Sequence, residues 1–227
     1  MLKVAARIGF DALMVAIALF GAAGTLRWWR AWALLAVLLI IRLIGARLVF
    51  RVNPELMRER AKSPMQHGQP RPDQALVLAV LATGFIALPM VAGLDRFQLP
   101  LLLPAPTAAV AAFGLLLFGA GWTLKTLALR ENAFAVAAVR IQRERKHSVT
   151  DTGIYRVVRH PFYAADPLIF VGLGLWLESY TAVLCAVVPL GLVLWRMHLE
   201  EQVLCRELPG YSEYTTRVPH RLIPGVW

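Results

Sequence analysis

Hydrophobic residues dominate six long stretches of the chain, and polar residues collect between them in short or basic segments. Each stretch has about the 20 residues that an α-helix needs to cross the hydrocarbon core of a bilayer. The predicted spans are roughly 4–26, 29–50, 74–94, 105–128, 160–178 and 180–200. This pattern predicts an all-α integral membrane protein with about six transmembrane helices.

The last two spans differ from the first four. The fifth begins inside a polar stretch, TGIYRVVRHPFYAAD (152–166), so it is the span least able to cross the whole bilayer. LESYT (177–181) joins it to the sixth, which predicts a tight helical hairpin. Residues 208–227 are too polar to span and rich in tyrosine, and we expect them to fold back as a C-terminal cytoplasmic lid. We therefore divide the chain into a four-span region, 1–128, and a region that carries the hairpin and tail, 129–227.

Charge sets the predicted orientation. The formal net charge is +10, and 58% of the residues are hydrophobic, above the usual 45–50% of soluble domains. Most basic residues fall in 51–73, in 125–160 and after residue 196, which marks these segments and both termini as cytoplasmic. No separate basic soluble domain is present, so we expect no nucleic-acid partner. Arginine outnumbers lysine 20 to 4 and alanine is abundant, which suggests a GC-rich bacterial genome; we therefore expect the protein in a bacterial inner membrane.

Charged residues within the apolar stretches have structural interpretations. Arg7 and Asp11 are four residues apart and are predicted to pair. Arg42 and Arg47 are expected to snorkel to the surface, as are Arg27 and Arg30 beside two tryptophans.

Glycine, cysteine and loop residues add further expectations. Gly114, Gly119 and Gly121 predict close helix packing. The loop 51–73 is expected to have no packed core, with His67 solvated. The two cysteines, Cys185 and Cys205, form neither a disulfide framework nor a metal site, so no metal is predicted.

The start of the fifth span is the first candidate site. Pro161 fits the first turn of a helix, and Asp151 or Thr152 is a candidate cap for a shorter helix before it. Arg159 and His160 then lie where unpaired backbone N–H groups collect, a place that binds anions. A positively charged flank of a membrane span explains the same residues without any ligand.

The inner end of the sixth span is the second candidate site. In WRMHLEEQVL (195–204), Arg196 and Glu200 share a helix face, and Glu201 points elsewhere. Because the two spans form a hairpin, we expect these residues to face Tyr163 and the Arg-His pair across a small gap. Such a site suits a zwitterionic ligand with an apolar end.

The order of these motifs resembles the isoprenylcysteine carboxyl methyltransferase family. The motif GIYRVVRHPFY is followed by an apolar hairpin, then by EE, and then by GYSEY and VPHRLIP. The resemblance is specific over residues 132–227 and looser over NPELMRERA (53–61). It implies an integral-membrane enzyme that uses S-adenosyl-L-methionine and moves a methyl group to a lipophilic or small acceptor: a carboxylate, thiol or amine. Phospholipid methyltransferases belong to the same group.

The resemblance also assigns roles to individual residues. It implies cofactor contacts for the segment before the Gly-x-Tyr turn, for the tyrosine of that turn, for the His-Pro-x-Tyr motif and for the glutamate of the last span. These residues are Gln142, His147, Ser148, Val149, Thr150, Tyr155, His160, Pro161, Phe162, Tyr163 and Glu200. Arg196 matches the arginine assigned to the substrate, and Arg196, Glu201 and Arg159 are the candidate catalytic residues. Ala165 stands where family members often have glycine, which raises the question of a narrower pocket.

Two other functions compete with this interpretation. Membrane sterol reductases that use NADPH have a similar C-terminal half, and a non-enzymatic protein that binds anionic lipid would also have a basic inner face. The sequence names neither the methyl acceptor nor the oligomeric state.

Overall fold

The computed structural model describes residues 1–62, 69–99 and 103–227, and these residues form helices with no β-strand. The elements are α1 Leu2–Ala23, α2 Trp29–Val52, α3 Pro54–Arg60, α4 Arg71–Ala82, α5 Leu88–Phe97, α6 Ala108–Glu131, α7 Pro161–Trp176, α8 Tyr180–Cys185, α9 Val187–Glu207 and α10 Tyr211–Arg217. A π-helical turn, Thr83–Ala87, joins α4 to α5. The predicted all-α fold is confirmed.

In the described part of the chain, five helical stretches are long and apolar enough to cross a membrane: Leu2–Ala23, Trp29–Val52, Arg71–Phe97, Ala108–Glu131 and Tyr180–Glu207. The sixth, α7, has 16 residues. At 1.5 Å per residue it is about 24 Å long, short of the roughly 30 Å hydrocarbon core. The fifth predicted span is therefore the incomplete one, as the sequence indicated.

The hairpin between α7 and α8 turns within three residues. Glu178 adopts a left-handed backbone conformation with φ 61°. Ser179 caps α8, because its hydroxyl accepts a hydrogen bond from the backbone N–H of Ala182 at 2.9 Å. The predicted tight connection is confirmed, and it places the beginning of α7 beside the end of α9.

Small residues let α6 and α7 pack with their backbones in contact. A Cβ atom added at Gly114 would lie 2.7 Å from the backbone nitrogen of Trp176, and one at Gly121 would lie 2.9 Å from the carbonyl oxygen of Ala165. Gly119 is different, because the nearest atom to its added Cβ is the Ile41 side chain at 3.5 Å. Close packing is confirmed at Gly114 and Gly121 and is wrong at Gly119.

This difference gives a matched pair of variants. We expect Gly114→Ala to lower the free energy of unfolding by about 1–3 kcal/mol, because the methyl group meets backbone atoms that cannot rotate away. Gly119→Ala should be neutral or slightly stabilising, since alanine is the better helix former by about 1 kcal/mol. Thermal unfolding in detergent measures both, and equal melting temperatures would contradict the packing argument.

Several charged residues pair inside the bundle rather than reaching the surface. Arg7 donates to Asp11 at 2.9 Å, as predicted. Arg42 also donates to Asp11, at 2.8 Å, so the prediction that it snorkels is wrong. Arg30 is not a free snorkelling side chain either, because it pairs with Glu178 at 3.1 Å and lies over the ring of Trp176.

The polar segment 51–73 is more ordered than predicted. Its first part forms α3, whose Leu56 is completely buried. Its last residue, Asp73, is 3% exposed. The expectation of a segment without packing is therefore wrong for these residues, and His67 lies outside the described part of the chain.

Candidate active site

A cavity of about 600 Å³ opens between the helices at the end of the bundle where α7 begins. Its walls come from α1, α2, α3, α4, α6, α7 and α9, from the segment 132–150 and from α10. The volume lies within the range of small-molecule binding sites. Apolar helix faces form one part of the wall and polar side chains the other, so the cavity suits a ligand with both characters.

Arg196 is fixed at the polar part of this cavity by three hydrogen bonds. Its Nε donates to Asp73 Oδ1 at 2.8 Å, its Nη1 to the Tyr163 hydroxyl at 2.8 Å, and its Nη2 to the Ala137 carbonyl at 2.5 Å. The guanidinium therefore joins α4, α7, α9 and the segment 132–150. Among the described residues, its ion pair is with Asp73 and not with Glu200.

Tyr163 connects Arg196 to Glu200. The Tyr163 hydroxyl donates a short hydrogen bond to Glu200 Oε2 and accepts one from Arg196. The predicted meeting of α7 with the end of α9 is confirmed for these three residues. Their chain of bonds places one cation, one hydroxyl and one carboxylate along the cavity wall.

Asp73 is a site residue that the sequence did not reveal. Besides the Arg196 guanidinium, its carboxylate accepts from Gln69 Nε2 at 2.6 Å and from the backbone N–H of Val139 at 2.9 Å. It neutralises Arg196 and holds the segment 132–150 against α4. An acidic residue in the first turn of an apolar helix was the available signal, but helix capping explains such a residue equally well.

Arg159 and Glu201 form a buried cluster with the C-terminal tail. Arg159 donates to Glu201 Oε1 at 2.7 Å and to the Val218 carbonyl at 2.7 Å. Arg221 donates to Glu201 Oε2 at 2.7 Å. Arg159 lines the cavity, whereas Glu201 is not among its lining residues. The cluster fastens the tail across the beginning of α7, and the expected fold-back is confirmed.

The tail also changes the interpretation of the α7 N-terminus. The backbone N–H groups of Arg159 and His160 donate to the carbonyls of His220 and Arg221, each at 2.9 Å. These N–H groups are therefore unavailable to an anion, contrary to the expectation from the sequence. Thr152, one of the two suggested caps, does occupy the N-cap position of the short 3₁₀ turn Gly153–Arg156, but its side chain makes no capping bond, because its hydroxyl donates to Glu131 instead.

The segment 142–150 supplies a second wall of the cavity. His147, Ser148, Val149 and Thr150 line it. The His147 ring stacks on Phe134 with 4.4 Å between centroids. Burial, followed by the charge of nearby Arg145, lowers the pKa of His147 to about 4, so its ring is neutral near pH 7.

Gln142 supports this wall from behind. It is completely buried, and it is not one of the cavity-lining residues. Its Nε2 donates to the Phe134 carbonyl and its Oε1 accepts from Arg145, both at 2.6 Å. Pro161 is likewise absent from the lining, whereas Tyr155, His160, Phe162, Tyr163 and Glu200 are present. Most predicted cofactor residues thus share one cavity, and two of them support it from outside.

Tyrosine rings close the polar end. Tyr155, Tyr211 and Tyr214 line the cavity, and the Tyr214 hydroxyl donates to the Tyr155 carbonyl at 2.7 Å. Burial raises the pKa of Tyr155, so its hydroxyl stays protonated at neutral pH. Neutral aromatic faces of this kind attract a cationic ligand.

Ala165 does not narrow the cavity. Its side chain is completely buried, and it packs where α7 meets Gly121 of α6. It does not appear among the residues that line the cavity. The methyl group at this position therefore serves helix packing and leaves the ligand space unchanged.

Comparison with known proteins shows which proteins the site-bearing part of the chain is similar to. The model of the phospholipid methyltransferase family matches residues 109–208, which contain α6, α7, the hairpin and α9. Protein-S-isoprenylcysteine O-methyltransferase B of Arabidopsis thaliana is 28% identical over 120 residues, which cover 48% of this chain and 57% of that protein. The chain thus matches little more than half the length of this relative. The predicted resemblance is confirmed: residues 109–208 are similar to the phospholipid methyltransferases, and the chain is similar to an isoprenylcysteine methyltransferase.

Proposed function

We propose that this protein is an integral-membrane methyltransferase that uses S-adenosyl-L-methionine. The observation that carries the proposal is the chain of hydrogen bonds Arg196–Tyr163–Glu200 on the wall of a cavity that has both polar and apolar surfaces. The matched domain supports the same chemistry. In the proposed orientation both termini and the polar end of the cavity face the cytoplasm of a bacterium.

The residues present fit this cofactor. Glu200 offers a carboxylate to a cationic group, and the tyrosine faces favour the same charge. The buried His160 Nε2 has no hydrogen-bond partner among the described residues, although it lies 3.5 Å from Glu201, so a ligand polar group can satisfy it. His147, Ser148, Val149, Thr150 and Tyr155 would complete the binding wall. When bound, the cofactor supplies an activated methyl group.

The protein's own part in such a reaction is alignment and exclusion of water. Three of the five N–H groups of Arg196 donate to the described residues, which hold the guanidinium in a fixed direction and leave two N–H groups for an acceptor. Arg159 and Glu201 were predicted as catalytic, and we assign them instead to positioning the tail. The two side chains pair with each other, Arg159 also binds the Val218 carbonyl, and Glu201 also binds Arg221.

The acceptor is proposed to be a lipophilic or small molecule. The name of the Arabidopsis relative points to a protein-bound isoprenylcysteine for that enzyme, and the name of the matching family points to phospholipids. The apolar walls formed by α1, α2 and α4 give this chain room for an apolar group beside Arg196. Membrane lipid is therefore the partner that we expect.

Calorimetry on the detergent-purified protein tests the cofactor. We expect S-adenosylhomocysteine to bind and NADPH not to bind. A radiolabelled methyl-transfer assay on total lipid and small-molecule extracts then identifies the acceptor. Binding of NADPH alone would favour the reductase alternative. An anionic-lipid-binding protein would bind neither compound, and charge reversal in 51–62 would abolish its lipid binding.

A further inference from the structure

Arg60 is unlike the other basic side chains that line the cavity. Eight arginine and lysine residues contribute to its walls, and seven have a carboxylate within 4 Å. The seven pairs are Arg7–Asp11, Arg42–Asp11, Lys62–Glu59, Lys125–Asp166, Arg140–Glu144, Arg159–Glu201 and Arg196–Asp73. Within 1–62, 69–99 and 103–227, Arg60 has no such partner.

Neutral groups hold Arg60 in place. Its Nη1 donates to the Ala135 carbonyl at 2.6 Å, and its guanidinium carbon lies 5.0 Å from the centroid of the Phe162 ring. These contacts fix the side chain without cancelling its charge. Arg60 lines the cavity, and within the described residues its guanidinium makes no second hydrogen bond.

Two further cations lie on the same wall. Lys125 Nζ is 3.7 Å from the centroid of the same Phe162 ring. Arg196 donates to the Ala137 carbonyl, two residues along the chain from the carbonyl that binds Arg60. Arg60 of α3 and Arg196 of α9 therefore bind neighbouring carbonyls of the segment 132–150, and both line the cavity.

Electrostatics make this arrangement costly without a bound anion. Burial is the main cause that lowers the pKa of Arg60 to about 10, and the charges of Arg196 and Arg42 lower it further. Arg60 still carries its charge at pH 7. Asp73 already neutralises Arg196, and within the described residues no carboxylate lies within 4 Å of the Arg60 guanidinium, so the Arg60 charge has no ion-pair partner.

We propose that Arg60 forms an anion-binding subsite that holds a carboxylate or phosphate group of the methyl acceptor beside Arg196. A planar guanidinium binds either group through two parallel hydrogen bonds. The inference rests on the proposed methyltransferase function and narrows its substrate class to acceptors with an oxyanion.

The neighbouring wall indicates what the anion is attached to. The same cavity is lined by apolar side chains, including Ile8, Val49, Val77 and Met57, which lies three residues before Arg60 in α3. An acceptor with an anionic group and an apolar body satisfies both surfaces. The anion can belong to a membrane lipid or to a free molecule, and the experiment separates these sources.

Oleate is a suitable probe, because it joins a carboxylate to an apolar chain, and oleyl alcohol is its uncharged counterpart. Binding is measured by calorimetry in neutral detergent with S-adenosylhomocysteine present, on the parent protein and on Arg60→Gln, Arg60→Lys and Arg58→Gln. Arg58 lies on the exposed side of α3 and outside this cavity, so it is the matched control. A separate titration adds inorganic phosphate as a competitor.

We expect Arg60→Gln to weaken oleate binding about ten- to a hundredfold and Arg60→Lys to weaken it less, with oleyl alcohol unaffected. Arg58→Gln should match the parent. Competition by millimolar phosphate would show that a free oxyanion suffices, and its failure would show that the apolar body is required; both support the subsite.

Three results would overturn the proposal. Parent-like oleate affinity in Arg60→Gln is the first. Equal affinity of the parent for oleate and oleyl alcohol is the second. The third is a parallel loss of S-adenosylhomocysteine affinity in Arg60→Gln, which would make Arg60 a general structural residue. If the parent itself fails to bind S-adenosylhomocysteine, the proposed function fails, while the comparison of oleate with oleyl alcohol still tests the subsite.

Discussion

Glu200→Gln should weaken cofactor binding about ten- to a hundredfold. Gln has the shape of Glu and its amide oxygen can still accept the Tyr163 hydrogen bond, so the fold around α9 should survive. The variant loses the negative charge, and a hydrogen bond to a charged group is worth roughly 1.5–3 kcal/mol. Calorimetry with S-adenosylhomocysteine measures the loss directly.

A control on the same helix is available for this variant. Glu207→Gln removes a half-exposed carboxylate at the end of α9, outside the residues that line the cavity, and should leave affinity unchanged. Comparing S-adenosylmethionine with S-adenosylhomocysteine refines the result. A larger loss for the methylated cofactor would place Glu200 near the sulfonium, and an equal loss would place it near the amino group. Parent-like affinity for both would contradict the assignment of Glu200.

Local sequence features predicted the parts of the site that depend on neighbours along the chain. The apolar runs predicted the helices, and the short polar stretch LESYT predicted the turn that brings α7 and the end of α9 together. Once those helix ends meet, the contact between Tyr163 and Glu200 follows from their positions near the ends.

Contacts between segments that are distant along the chain could not be predicted from the sequence. Asp73 and Arg196 are 123 residues apart, and no periodicity indicates which helix faces which in a membrane bundle. The tail carbonyls that occupy the N–H groups of Arg159 and His160 come from residues about 60 positions away. Such pairings depend on the whole packing arrangement, which the apolar pattern leaves open because lipid and helix faces are equally apolar.

Lys125 shows the same limit most clearly. The sequence placed it with the basic residues of the cytoplasmic side, and the structure places it in the interior. Its Nζ lies 2.9 Å from Asp166 Oδ1, and the side chains of the two residues are 9% and 5% exposed. The pair connects α6 to α7 across the helix interface that Gly114 and Gly121 make possible.

Breaking this pair on one side should be among the most destabilising changes in the protein. Lys125→Met leaves the Asp166 carboxylate buried without its partner, and Asp166→Val does the same to the ammonium group. Each single change is expected to cost about 3–5 kcal/mol of unfolding free energy. The double variant removes both charges together, and replacement of a buried pair by apolar residues is often neutral. Thermal unfolding of the four proteins in one detergent should therefore show two low melting temperatures and a double variant close to the parent. If the two single losses simply add in the double variant, the charges are not coupled, and the stability of the α6–α7 interface rests on its glycine packing alone.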